Sequence, residues 1–270
     1  MNTHRVLTGF LLALGFVLVL VHSVWARRIV ILYAAASPIV KALGVPEDEV
    51  VGVTRTDQVF PRATKVGSHL RPNLELIRAL SPDLVIVGSK KAFPDSAAER
   101  LKAAIFRYDP RTLKEILEAI EALGRVLGRE EAARNLVAEL KAELSALKPL
   151  PRRPNVIYEV SSLPLKVAGR RSIVNDIIRV AGGCNLVTAE KKHVLLSPEV
   201  VLALNPDFYL YQVGPMNRNP VPPKKRPYFK GLKSRVIRVD EHEFARPGLN
   251  AFSAAVKLNR IFFETLNQRP

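Results

Sequence analysis

The sequence predicts an α/β fold: two Rossmann-like lobes, each on a central, mainly parallel sheet, joined by one long rigid α-helix. Three observations predict it. First, a segment recurs at an offset of 124 residues. Asn73-Leu-Glu75-Leu-Ile-Arg-Ala79-Leu80-Ser-Pro82-Asp83 leads into LVIVG, and Ser197-Pro-Glu199-Val-Val-Leu-Ala203-Leu204-Asn-Pro206-Asp207 leads into FYLYQVG. Each copy reads as a short amphipathic helix, a Pro-Asp turn and an apolar strand of the kind buried in parallel sheets. Second, strand-like runs open both halves, Arg28–Tyr33 and Asn155–Val160, and each precedes a helix closing on glycine, Ile39–Gly44 and Ile173–Gly182. Repeated strand–helix units argue for two lobes of similar plan. Third, Leu113, Ile116, Leu117, Ile120, Leu123, Val126 and Leu127 keep helical spacing, and Leu136, Val137, Leu140, Leu144 and Leu147 continue it after Gly128. Asp109 or Thr112 can start this helix and Pro149 limits it.

The expected organisation is therefore a leader over 1–26, a first lobe over 27–108, a linking helix over 109–149 and a second lobe over 150–270. The leader has a basic start (His4, Arg5), the apolar run FLLALGFVLVLV from Phe10 to Val21, and Val24-Trp25-Ala26 before Arg27. That is the layout of a secretory signal peptide. The run is short of the ~20 residues a spanning helix needs, although an uncleaved leader could serve as an anchor. No cysteine lies near the cleavage point, which argues against a lipidated N-terminus. The expectation is a periplasmic or otherwise extracytoplasmic protein, and export counts against nucleic acid as a partner. The linking helix, amphipathic and almost neutral, reads as a stiff connector rather than a flexible hinge, so large closing motions are not expected.

Composition narrows the rest. The 270 residues are 48% hydrophobic, enough for a packed core, and the single cysteine cannot form an internal disulfide or a CxxC pair. Cys184 reads as a small buried apolar residue. No GxSxG elbow, P-loop or HExxH motif is present, so catalysis is not expected. The net charge of +16 is uneven: residues 27–108 hold 13 Lys+Arg against 8 Asp+Glu, and residues 151–270 hold 20 against 9. Much of the excess lies in Arg152-Arg153, Arg170-Arg171, Lys191-Lys192 and the Pro-rich segment Asn217–Pro227, which reads as mobile or extended. A basic rim for an acidic ligand, attraction to a membrane surface, and a merely solvated face all fit this charge.

Three histidines follow the leader: His69, His193 and His242. His69 precedes Glu75 by six residues and His193 precedes Glu199 by six, so the two are equivalent in the repeat. Imidazole nitrogens on three loops could hold a metal or the metal centre of a chelate; the plainer reading makes them loop residues with ordinary hydrogen bonds.

Taken together, the repeated motifs, the leader, the linking helix, and segments such as Val50-Val-Gly-Val-Thr54, Ala181-Gly-Gly183 and Arg246-Pro-Gly248 resemble the class III substrate-binding proteins of ABC importers. The resemblance covers residues 28–265. It implies a ligand cleft between the lobes and a cargo containing iron or cobalt: a ferric siderophore, haem or a corrinoid. It implies no cofactor of the protein's own and a monomer that delivers cargo to the permease. Tyr33, Arg55, His69, Tyr158, Arg170, His193, His242 and Arg246 become candidate ligand contacts, with Ser37 and Glu159 nearby. His69, His193 and His242 become candidate metal ligands. Glu75 and Glu199 match the family's surface glutamates that dock on the permease; each also complements a helix dipole, whatever its function. The absence of tryptophan after the leader departs from the aromatic-walled cobalamin binders. The alternatives are a free metal ion or oxyanion in the same fold, and an exported metal-dependent hydrolase.

Overall fold

A computed structural model describes residues 27–268; the leader and its apolar run lie outside the described residues. The first half runs β1 (Ile29–Ile31), α1 (Ser37–Ala42), β2 (Val50–Val53), β3 (Thr64–Lys65), β4 (Gly67–Ser68), β5 (Arg71–Pro72), α2 (Leu74–Ala79), β6 (Leu84–Val87), α3 (Asp95–Ala98) and β7 (Ala104–Arg107). Its five-stranded sheet has the order β3-β2-β1-β6-β7 and every pairing in it is parallel. All three residues of β1 are fully buried, as a central strand covered on both faces requires.

Two helices follow, α4 (Leu113–Leu127) and α5 (Glu130–Leu144). The second half runs β8 (Asn155–Ser162), β9 (Leu165–Ala168), α6 (Ile173–Val180), β10 (Cys184–Asn185), β11 (His193–Leu195), α7 (Pro198–Leu204), β12 (Phe208–Val213), β13 (Arg235–Asp240), α8 (Glu241–Phe244) and α9 (Asn250–Asn267). Its sheet has the order β11-β9-β8-β12-β13, with β10 also on β8. β10, β8, β12 and β13 pair in parallel, and β9 and β11 add antiparallel strands at one side.

The repeat has a structural cause. Ser81 and Asn205 both take a left-handed φ of 44°, turning the chain out of α2 and α7 into the Pro-Asp step. Asp83 then accepts the backbone N–H of Arg28 (2.8 Å), and Asp207 accepts that of Asn155 (2.7 Å). Each aspartate thus secures the start of the strand beside its own. The Pro-Asp signal encodes sheet assembly.

The connector differs from the single helix expected over 109–149. Gly128 adopts φ 66° and ends α4, and the N–H of Arg129 closes back on the Gly124 carbonyl (2.7 Å). The leucine spacing beyond it belongs to α5, which packs back on α4 and on α9. A left-handed glycine one residue past a helix is an efficient stop, and the break was visible in the sequence as Gly128. The connecting helix proper is α4. Thr112 caps it by accepting the Glu115 N–H (3.1 Å), and Asp176 from α6 accepts the buried Leu113 N–H (2.8 Å). That second bond ties the connector to the second half.

The Pro-rich segment also departs from expectation. Asn217, Pro223 and Arg226 are buried, so the segment is clamped onto the second sheet rather than free. Cys184, on β10, is half-buried.

Candidate functional site

Parallel strands of an α/β sheet present their carboxyl ends, and the loops after them, to a ligand crevice. Tyr33 lies two residues beyond β1, and Arg246 and Pro247 lie in the turn after α8. The halves meet there. The Tyr108 hydroxyl donates to the Pro247 carbonyl (2.6 Å), and a Cβ on Gly248 would come within 3.1 Å of the Ala35 carbonyl oxygen. Glycine at that position lets the Arg-Pro-Gly turn approach the first half.

Two cavities flank this junction. One, of about 490 Å³, is lined by Ala34, Asp57, Gln58, His242 and Arg246 among others. The second, of about 390 Å³, is lined by Tyr33, Lys91, Arg111, Arg171, Lys191 and Lys192, with Asp109 and Glu190. Neighbouring residues divide between them: Ala34 and Arg246 line the first, Tyr33 and Pro247 the second. Five cations against two carboxylates give the second cavity a positive field suited to an acidic group.

Tyr33 is the centre of the arrangement. Its ring lies 6.2 Å from that of His69 and 6.1 Å from that of Tyr108. Burial pushes its phenol up to about 12, Asp109 adds to the rise, and Arg246 opposes it. His69 is pulled below its usual value by partial burial and then by the Lys192 ammonium, which reaches it from the other half. His193, on β11, is lowered to about 4 by burial first and then by Lys192 and Lys166. Both imidazoles are neutral at pH 7, the form that ligates metals.

The structure therefore brings together Tyr33, His69, Arg246 and, through Lys192, His193. His242 is exposed on α8 and shares the larger cavity with Arg246. The three histidines do not converge: among the described residues, no group of three His, Cys, Asp or Glu could hold a metal ion.

Tyr158 is a correction. It is fully buried in β8, donates to Gln212 (3.0 Å) and packs near Phe244, leaving no face for a ligand. Arg55 is exposed and lines neither cavity; its backbone N–H serves the Gly67 carbonyl (2.7 Å). Arg170 points to solvent and pairs with Glu190 (3.4 Å), so the cavity receives its neighbour Arg171 instead. Ser37 is buried and bonded to Asp57, whose other oxygen accepts the N–H groups of Val59 (2.9 Å) and Phe60 (3.2 Å). That carboxylate shapes the floor of the larger cavity. Glu159 is buried and held by Arg226.

Sequence reasoning missed Lys91, Asp109 and Arg111. The signal available was position: each lies within four residues of the carboxyl end of β6 or β7, where parallel strands deliver side chains to a crevice. Glu75 and Glu199 stand in the first turns of α2 and α7, both exposed. Asn73 caps α2 by accepting the Leu76 N–H (3.1 Å). The Ser197 hydroxyl and the adjacent backbone hold the Glu199 carboxyl below its usual range.

Among known proteins, the chain is 29% identical over 197 residues to the Bacillus subtilis protein called uncharacterized ABC transporter substrate-binding lipoprotein YvrC, covering 67% of this chain and 62% of that protein. It is 25% identical over 226 residues to the high-affinity heme uptake system protein IsdE of Staphylococcus aureus, covering 79% of this chain and 71% of the other. The S. aureus IsdE structure complexed with heme matches 88% of this chain and 99% of that one, with a TM-score of 0.73 and 22% identity. The periplasmic vitamin B12 binding protein BtuF of Vibrio cholerae matches 90% and 98%, with a TM-score of 0.71 and 21% identity. At those identities the structural matches speak for the fold. A family profile described as "Periplasmic binding protein" matches residues 29–231, and the chain belongs to that family of binding proteins.

Proposed function

We propose that the protein is an extracytoplasmic receptor that captures haem in the cleft between a first lobe, 27–108, and a second, 150–270, and hands it to an ABC importer permease. The observation that carries this reading is Tyr33, a buried-edge phenol facing His69 beside a cavity with five cations. Ferric iron accepts phenolate oxygen or imidazole nitrogen as axial ligand, and haem's two propionates suit paired Lys and Arg donors. IsdE, named for heme uptake, supports the same cargo. A ferric siderophore or a corrinoid would use the same cleft, whereas a bare metal ion lacks a cluster of ligands among the described residues. Glu75 and Glu199, exposed on one helix of each half, are the proposed contacts to the permease.

The test is titration of purified protein with haemin, followed by visible absorption, with cobalamin as the parallel arm. The expected result is a shifted Soret band saturating at a fixed ratio, weakened at least tenfold in Tyr33→Phe. Saturation by cobalamin alone would replace haem as the cargo, and no response to either would sink the tetrapyrrole reading.

A further inference from the structure

Much of the charge of the second half lies on residues that line neither cavity at the junction. From Phe208 to Val239 the chain carries eight Lys and Arg and no Asp or Glu. One of the eight, Arg226, is buried against Glu159. Arg218, Lys224, Lys225, Lys230 and Lys233 are all exposed. Interleaved with them along the chain are Met216, Val221 and Tyr228, which are 48%, 55% and 40% exposed.

This arm is held rigidly. The Arg226 guanidinium donates to both oxygens of Glu159 (2.6 and 2.9 Å), and Asn217 donates to Glu159 (3.2 Å) and to the Gln212 carbonyl (2.8 Å). Phe229, almost fully buried, packs edge-on against Tyr209 at 5.3 Å. Ordering the arm is thus accomplished on folding and does not have to be supplied by a partner. Its Pro227–Phe229 turn packs against α7, the helix carrying Glu199, and α7 itself exposes Val200 and Leu204.

We propose that the arm is a docking surface for anionic lipid headgroups. Exposed lysines and arginines next to a negatively charged bilayer each gain attraction, and exposed apolar side chains among them can enter the interfacial layer. A nucleic acid would satisfy the cations but would give Met216 and Val221 no apolar phase, which favours lipid. The orientation of the arm rests on the proposed function: if α7 meets a permease through Glu199, the adjoining arm comes down onto the surrounding membrane. The affinity for lipid does not rest on it.

The experiment is cosedimentation of the full chain with vesicles of phosphatidylcholine alone and of phosphatidylcholine with phosphatidylglycerol in equal parts. The neutral vesicles read the apolar leader, and the increment on adding phosphatidylglycerol reads basic residues. Replacing three exposed cations together, R218Q, K224Q and K225Q, should lower that increment roughly tenfold or more and leave the melting temperature unchanged. Raising the salt should remove most of the increment. The proposal is overturned if the triple variant keeps the wild-type increment. It is equally overturned if the arm binds a polynucleotide and shows no anionic vesicle increment. Neither haem nor a permease enters this readout. An intact anionic increment, together with unchanged import when Glu75 and Glu199 are both replaced by lysine, refutes the docking reading alone; a missing increment, together with import lost in that variant, refutes the lipid surface alone.

Discussion

Burial separates the tyrosines of this protein by role. Tyr158 and Tyr209 lie fully buried in β8 and β12, and burial raises both phenols far above the ordinary range, so they act as hydrogen-bond donors to Gln212 and Glu159. Tyr33, at the cleft, is raised to about 12, and Arg246 is the charge that opposes the rise. If haem iron binds Tyr33 as phenolate, the free protein holds a proton that the complex lacks. The binding constant should then rise with pH, by up to about tenfold per unit, throughout the range below the phenol's titration. Haemin affinities measured from about pH 6 to about pH 9 would check this, and the slope should flatten in Tyr33→Phe. A wild-type affinity independent of pH would exclude phenolate ligation. Glu159 makes a different point. Its carboxylate is fully buried and receives Arg226, Tyr209 and Asn217. Removing one partner of a buried pair strands the other, at a cost of about 3–5 kcal/mol, while apolar replacement of both costs much less. Arg226→Met should therefore lower stability in urea unfolding more than Arg226→Lys, which keeps a cation beside the carboxylate.

At the scale of elements, the close contact of α4 with α5 rests on a missing side chain. A Cβ at Gly124 would stand 2.4 Å from the Cβ of Ala133 and 3.2 Å from the Arg129 carbonyl oxygen, so the two helices touch almost backbone to backbone. Gly124→Val should destabilise the protein by about 1–3 kcal/mol through overpacking, despite its helix-compatible position. A urea midpoint equal to wild type would show that the pair can separate freely. The same elements show what a sequence discloses. The repeat was legible at an offset of 124 residues because Ser81-Pro82-Asp83 and Asn205-Pro206-Asp207 perform one local task, turning the chain and fastening a strand. The end of α4 was legible in principle at Gly128, but continuing leucine spacing masked it, since periodicity reports a buried face and not its direction. The clamp of Arg226 on Glu159 joins residues 67 apart, and no local pattern marks such a pair. For the same reason Tyr33 and His69 could be named as candidates, whereas their facing rings, and the exclusion of Tyr158 from the cleft, needed the packed sheets.

For the whole molecule, the central question is how a body of two sheets presents itself to a membrane protein. α2 and α7 occupy equivalent places in the repeat, each ending at its strand-securing turn and each carrying an exposed glutamate in its first turn. Glu75 is shared between Arg78 (3.5 Å) and Arg100 (3.4 Å), both exposed. Such surface pairs are worth only about 0–1 kcal/mol, so an arginine pocket on a permease could displace them at little cost. Glu199 is kept ionised by the Ser197 hydroxyl and the helix start, ready for a cationic partner. Since neither glutamate lines the two cavities at the cleft, binding of cargo and docking should separate cleanly. The double variant Glu75→Lys with Glu199→Lys should keep haemin affinity within about twofold and abolish uptake in cells dependent on this receptor, because rim charges govern encounter and register. Each single reversal should leave partial uptake, since one point of a two-point contact survives. Uptake at the wild-type rate in the double variant would remove these residues from the docking surface, and a parallel loss of haemin affinity would place them in the cleft's mechanics instead.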